Sequence, residues 1–127
     1  ELAIADNLAY VRAVLATLPT PRVLVFLGFS QGAAMAARAA AFADANASGL
    51  ILLGGDIPPE IAADETVSLP PVLLARGAKD DWYTEEKFKH DLSFLEAKTR
   101  VTACAFDGGH EFNDAFRVAA GHFLRSL

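Results

Sequence analysis

Three apolar runs, at residues 23–27 (VLVFL), 50–53 (LILL) and 72–75 (VLLA), are separated by helix-length segments. This spacing is the strongest constraint on the fold. Near-continuous aliphatic runs of this length read as strands buried on both faces, and helix-length segments between them read as crossovers. Leu2, Ile4, Leu8, Val11, Val14, Leu15 and Leu18 recur at three- and four-residue spacing and predict an amphipathic helix, ended by Pro19 and Pro21. Residues 22–27 form the first strand and residues 31–45, rich in alanine, the next helix. The second and third strands follow at the runs already named, with an irregular loop at 56–69 between them. Residues 84–98 predict a helix with Thr84 as N-cap and Phe88, Leu92 and Leu95 on one face. A fourth strand at 100–106 alternates more, with Thr102 and Cys104 between apolar neighbours. The last helix, 113–127, turns Phe116, Phe123, Leu124 and Leu127 inward. Strands alternating with helices predict an α/β fold with a mostly parallel sheet and flanking helices.

Gly28-Phe29-Ser30-Gln31-Gly32 lies where the first strand meets the alanine-rich helix. A G-x-S-x-G pattern between a strand and a helix is the setting of a nucleophile elbow, in which a sharp turn presents the serine at its tip. The reading assigns both flanking glycines to the close approach of the two backbones. The helix N-terminus beside the serine favours developing negative charge.

In parallel α/β sheets, sites form at the carboxyl ends of the strands. The residues placed there are Ser30, then Gly54-Gly55-Asp56, then Arg76 with Asp80 and Asp81, then Asp107-Gly108-Gly109-His110-Glu111. A serine hydroxyl needs a base within hydrogen-bond reach, an imidazole can serve as that base, and a carboxylate can orient the imidazole. His110 is the candidate base, because His90 and His122 fall within helices on polar faces. Asp80 leads for the acid, with Asp56 and Asp81 as competitors. Asp107 reads as a turn former and Glu111 as a helix-start or supporting residue. The backbone N–H of Gln31 is the candidate oxyanion donor. Phe29, Trp82 and Tyr83 are candidates for lining a substrate pocket, Trp82 and Tyr83 equally for anchoring the helix that follows them. Arg76 reads as a surface arginine, with binding of a substrate anion as the alternative.

Composition excludes several classes. A net charge of -5 without a basic cluster argues against nucleic acid as a partner. No apolar stretch reaches the ~20 residues of a membrane-spanning helix, so no integral membrane association is expected. Cys104 is the only cysteine, which rules out an internal disulfide and disfavours a structural zinc site; it reads as a buried small side chain, and no metal is expected. No signal peptide is visible, and a cytoplasmic location is expected.

These blocks together resemble the phospholipase/carboxylesterase family of α/β-hydrolases, which includes the acyl-protein thioesterases. The matching pieces are Gly28-Phe29-Ser30-Gln31-Gly32, Leu53-Gly54-Gly55 with Pro58 nearby, Gly77-Ala78-Lys79-Asp80, and Phe106-Asp107-Gly108-Gly109-His110-Glu111. The chain order of serine, acid and histidine is that of the α/β-hydrolases. The resemblance implies a triad of Ser30, Asp80 and His110, and so favours Asp80 over Asp56. It implies hydrolysis of a small ester or thioester without a cofactor. This sequence departs from the family in having Arg76 where histidine is frequent and Gly54 where serine is frequent. Members are longer and begin with strands upstream of the first helix. The resemblance therefore implies that residues 1–127 are the C-terminal part of a single α/β-hydrolase domain, with N-terminal strands and a second oxyanion donor outside this sequence. A bare sheet edge and an apolar helix face are then expected, with a homodimer or the missing segment as partner. The alternative function is a catalytically inactive, hydrolase-like module that binds a ligand or another chain.

Overall fold

The computed structural model describes residues 2–127. Its elements are α1 (Leu2–Ala16), β1 (Val25–Phe29), α2 (Gln31–Phe42), β2 (Gly49–Leu53), α3 (Pro59–Ala62), β3 (Val72–Gly77), α4 (Glu85–Glu96), β4 (Val101–Phe106) and α5 (Asp114–Arg125). The four strands form one parallel sheet in the order β1-β2-β3-β4. Sequence order and sheet order coincide, so each helix-bearing connection crosses to the neighbouring strand. All four carboxyl ends lie along the same edge.

The aliphatic strands divide the core by their alternation. Leu50, Leu52, Val72 and Leu74 pack with Ala33, Ala36 and Ala37 of α2, Ile61 of α3 and Phe88 and Leu95 of α4. Ile51, Leu53, Leu73 and Ala75 point to the other face, against Phe116, Ala120 and Phe123 of α5. Every residue of β2 and β3 is buried, as strands covered on both faces require. The alanines of α2 let its backbone lie close to the sheet. Two helices start at side-chain caps: Thr84 accepts from the Lys87 N–H, and Asn113 accepts from the Phe116 N–H. No described helix is long and apolar enough to cross a membrane.

Several boundaries and faces differ from the sequence reading. β1 begins at Val25 and takes in Gly28 and Phe29. It is an edge strand and is not buried on both faces: Leu27 is 47% exposed, since only β2 pairs with it. Within the 56–69 loop, a prolyl-started turn of helix, α3, carries the fully buried Ile61. α1 buries no residue fully; Ile4, Leu8, Val11 and Leu15 form a half-buried stripe, while Leu2, Val14 and Leu18 face solvent. On α5, Leu124 is exposed rather than inward, because Phe116, Ala120 and Phe123 already define the face against the sheet.

Candidate active site

Ser30 occupies the turn between β1 and α2 with φ 59° and ψ -119°. A non-glycine residue in this region is strained by roughly 1–3 kcal/mol, and such strain persists only where surrounding contacts fix it. Those contacts are visible. The Ser30 N–H donates to the Leu53 carbonyl at 2.8 Å, and the Ser30 carbonyl accepts from the Ala33 N–H at 3.0 Å. Of the two flanking glycines, only Gly28 carries the load expected of it. A Cβ on Gly28 would lie 2.0 Å from the Gly32 carbonyl oxygen, so Gly28 is sterically required. A Cβ on Gly32 would meet nothing within 4 Å. The second required glycine is Gly55, at the end of β2, where a Cβ would lie 2.2 Å from the Ser30 carbonyl oxygen. The turn is thus clamped between its own helix and the exit of the neighbouring strand.

Asp80 follows β3 and His110 follows β4. The structure brings both to Ser30. His110 Nε2 lies 2.9 Å from Ser30 Oγ, and His110 Nδ1 lies 2.8 Å from Asp80 Oδ2. An ionised carboxylate only accepts, so Nδ1 carries the proton toward Asp80 and Nε2 offers its lone pair to the serine hydroxyl. The other carboxylate oxygen of Asp80 accepts the Trp82 and Tyr83 N–H groups, both at 2.9 Å. Burial alone would raise the Asp80 carboxyl. The hydrogen bond from His110 and the two backbone donors outweigh it and hold Asp80 below the ordinary carboxylate range.

The competitors do not bond His110. Asp56 is exposed and reaches Lys87 Nζ at 4.0 Å, and Asp81 is exposed. Asp107 pairs loosely with Lys79 at 3.6 Å. Glu111 accepts the Gly109 N–H at 2.9 Å and so shapes the loop that carries His110. His90 and His122 are exposed.

A cavity of about 250 Å³ opens over the hydrogen-bonded chain, lined by Ser30, Gln31, Gly55, Trp82, Lys87 and His110 among others. Gln31 is the first residue of α2, where N–H groups have no partner within the helix. Trp82 is 73% exposed at the cavity rim, with its ring centroid 6.3 Å from that of His110. Tyr83 also borders the cavity, but its hydroxyl is held inside the protein by Asp91 Oδ2 at 2.6 Å. Phe29 does not line the cavity; its ring lies 5.0 Å from the His110 ring, and it packs against the α5-side core. A larger cavity of about 910 Å³ lies between α3 and α4 and shares Asp56 and Lys87 with the first. It contains neither Ser30 nor His110, so the candidate site is the smaller one.

Arg76 is the largest departure from the sequence reading. It is neither on the surface nor in the cavity: it is 6% exposed and bonded to main-chain carbonyls. Asp91 was missed altogether. It is buried on α4, accepts from Tyr83 Oη and from the Ile57 N–H at 3.4 Å, and is raised chiefly by burial, with Asp56 adding to the rise. A helical aspartate gives no sign of burial in the sequence. An arginine ending an aliphatic strand does give a signal, since a charge there is either solvated at the sheet edge or bound from inside.

The elbow, the strand order and the serine–histidine–aspartate geometry define the α/β-hydrolase fold. Solved structures similar to this chain include Arabidopsis thaliana SOBER1, with a TM-score of 0.78 and 22% identity over 99% of this chain. Zea mays acyl-protein thioesterase 2 gives 0.76 and 22% over 97% of this chain, and esterase PE8 gives 0.68 and 30% over 81%. The fold expected from the motif resemblance therefore holds in three dimensions. This chain spans 65%, 64% and 49% of those three structures, respectively. No protein-family profile and no curated protein matches the sequence.

Proposed function

We propose that the protein is a serine hydrolase that cleaves carboxylic esters or thioesters through an acyl-enzyme. The observation that carries this reading is the unbroken chain from Ser30 Oγ through the His110 imidazole to Asp80, with heavy-atom distances of 2.9 and 2.8 Å. His110 Nε2 takes the hydroxyl proton as Ser30 Oγ attacks the carbonyl carbon. The carbonyl π bond becomes an oxyanion, and the Gln31 N–H at the start of α2 donates to it. The Ser30 N–H is already spent on Leu53 and is not a candidate for this role. Collapse of the tetrahedral species breaks the bond to the alcohol or thiol, which leaves with the proton from His110. Water, deprotonated by the same imidazole, then releases the acid and restores Ser30. Asp80 holds the tautomer and stabilises the imidazolium of both half-reactions. The esterase and thioesterase names borne by PE8 and the maize protein support the substrate class.

The test is labelling by a fluorophosphonate probe together with turnover of p-nitrophenyl acetate. Covalent modification at Ser30 and loss of both activities in Ser30→Ala are expected. Turnover unchanged in that variant would sink the proposal.

A further inference from the structure

Three charged side chains are buried among the described residues: Asp80, Arg76 and Asp91. Burying a charge costs several kcal/mol unless its hydrogen bonds are met, so each needs a local reason. Asp80 has its reason in His110. The other two converge on the same loop. Arg76 Nε donates to the Tyr83 carbonyl and Arg76 Nη2 to the Asp80 carbonyl, both at 2.9 Å. Asp91 holds the Tyr83 hydroxyl.

We propose that Arg76 is a positioning residue for the triad acid: its guanidinium fork spans the Asp80–Tyr83 loop and fixes the Asp80 carboxylate against His110. The inference rests on the Ser30 reading for its catalytic consequence but not for its geometry. Arg76 sits on β3, every residue of which is buried, so its stem is packed within the protein and its fork is directed at the loop. The two carbonyls it binds belong to the residue whose carboxylate accepts from His110 and to the residue whose N–H donates back to that carboxylate. The loop is tied on its other side by Lys79, whose N–H donates to the Gly108 carbonyl at 2.8 Å. Between those ties, Asp80 has no slack. Lysine replaces the fork poorly: its ammonium carries three donors, but they rotate on a flexible stem and lack the rigid planar fork that meets both carbonyls at once.

The experiment compares Arg76→Met, Arg76→Lys and Arg76→Ala with the parent protein. Arg117, exposed on α5, serves as the control through Arg117→Met. A displacement of the triad of about 1 Å costs roughly 10²-fold in rate. Arg76→Met is therefore expected to lose about 10- to 100-fold in kcat for p-nitrophenyl acetate with KM nearly unchanged, and Arg76→Lys to recover only part of it. In proton NMR, the low-field His110 Nδ1–H resonance should shift upfield or broaden in Arg76→Met. Millimolar guanidinium ion should restore part of the kcat of Arg76→Ala by filling the vacated position. Arg117→Met should behave as the parent. If Arg76→Met does not fold, the lysine variant and the guanidinium rescue decide. A folded Arg76→Met with parental kcat and an unmoved resonance overturns the proposal, as does an activity loss matched by the fraction unfolded with no rescue. Absence of turnover in the parent counts against the Ser30 reading instead, and the NMR comparison then decides the role of Arg76.

Discussion

Gly55→Ala should damage the site more than any change at Gly32, although Gly32 belongs to the serine motif and Gly55 does not. A Cβ on Gly55 would sit 2.2 Å from the Ser30 carbonyl oxygen and 2.7 Å from the Ala33 Cβ. Ordinary contact begins near 3.4 Å, so the two backbones must part by about 1 Å. Overpacking of this kind costs roughly 1–3 kcal/mol. That corresponds to a fall in Tm of roughly 4–12 °C for a domain of this size. The Ser30 carbonyl also anchors the first turn of α2, so the displacement is passed to Oγ, and a shift of 1 Å costs about 10²-fold in rate. Gly32→Ala has open space around it and lies near the start of α2. There it should be neutral or stabilising by up to about 1 kcal/mol, because alanine restricts the unfolded chain and favours helix. Thermal melts and the rate of fluorophosphonate labelling at Ser30 measure both effects. Parental Tm and labelling rate in Gly55→Ala would refute the clamp, as would a severe loss in Gly32→Ala.

Asp80→Asn should lower kcat by about 10⁴, the scale seen when the orienting acid of a triad becomes an amide, whereas Asp56→Asn should change it little; steady-state turnover of p-nitrophenyl acetate separates them. The Asp80 carboxyl is depressed in the folded state, so its contribution to stability is present above the ordinary carboxylate pKa and fades as pH falls through the lowered value. Asp91 has the opposite sign: its raised carboxyl favours folding at low pH and loses that contribution as pH climbs through the raised value. Asp91→Asn keeps an acceptor for Tyr83 and should raise Tm more at pH 8 than at pH 4.5 in melts at both pH values; an equal change at the two would contradict the assignment. The β1 edge, with Leu27 in the strand and Val23 just before it both about half exposed, should draw chains together. Light scattering should show self-association that Leu27→Lys reduces; a monomer in both would exclude this edge.

The helix–strand alternation and the serine turn were legible because their determinants are local. Aliphatic runs mark β2 and β3, alanine marks α2, and Thr84 and Asn113 mark helix starts. The parallel sheet follows from those elements. Candidate residues at strand ends followed too, since a parallel sheet delivers every carboxyl end to one edge. Asp80 already led Asp56 as the candidate acid, and the family resemblance added to that lead; without it both, each ending a strand, stay open. In the structure it comes down to direction: one carboxylate turns inward to an imidazole at 2.8 Å, the other outward to a lysine at 4.0 Å.

The tertiary structure alone decided what depends on two segments meeting. Gly32 and Gly55 look alike in sequence, yet only Gly55 has another backbone where its side chain would be. Arg76 reads as a surface charge until the Asp80–Tyr83 loop folds over it and supplies two carbonyls. Asp91 carries no mark in the sequence that separates it from other helical acids; Tyr83 and Ile57 close around it only in the fold. β1 reads like the other aliphatic strands, but it is half covered because strand order places it at an edge. Sequence sets what each residue can do; which neighbour removes its water, fills its space or meets its hydrogen bonds is a property of the assembled chain.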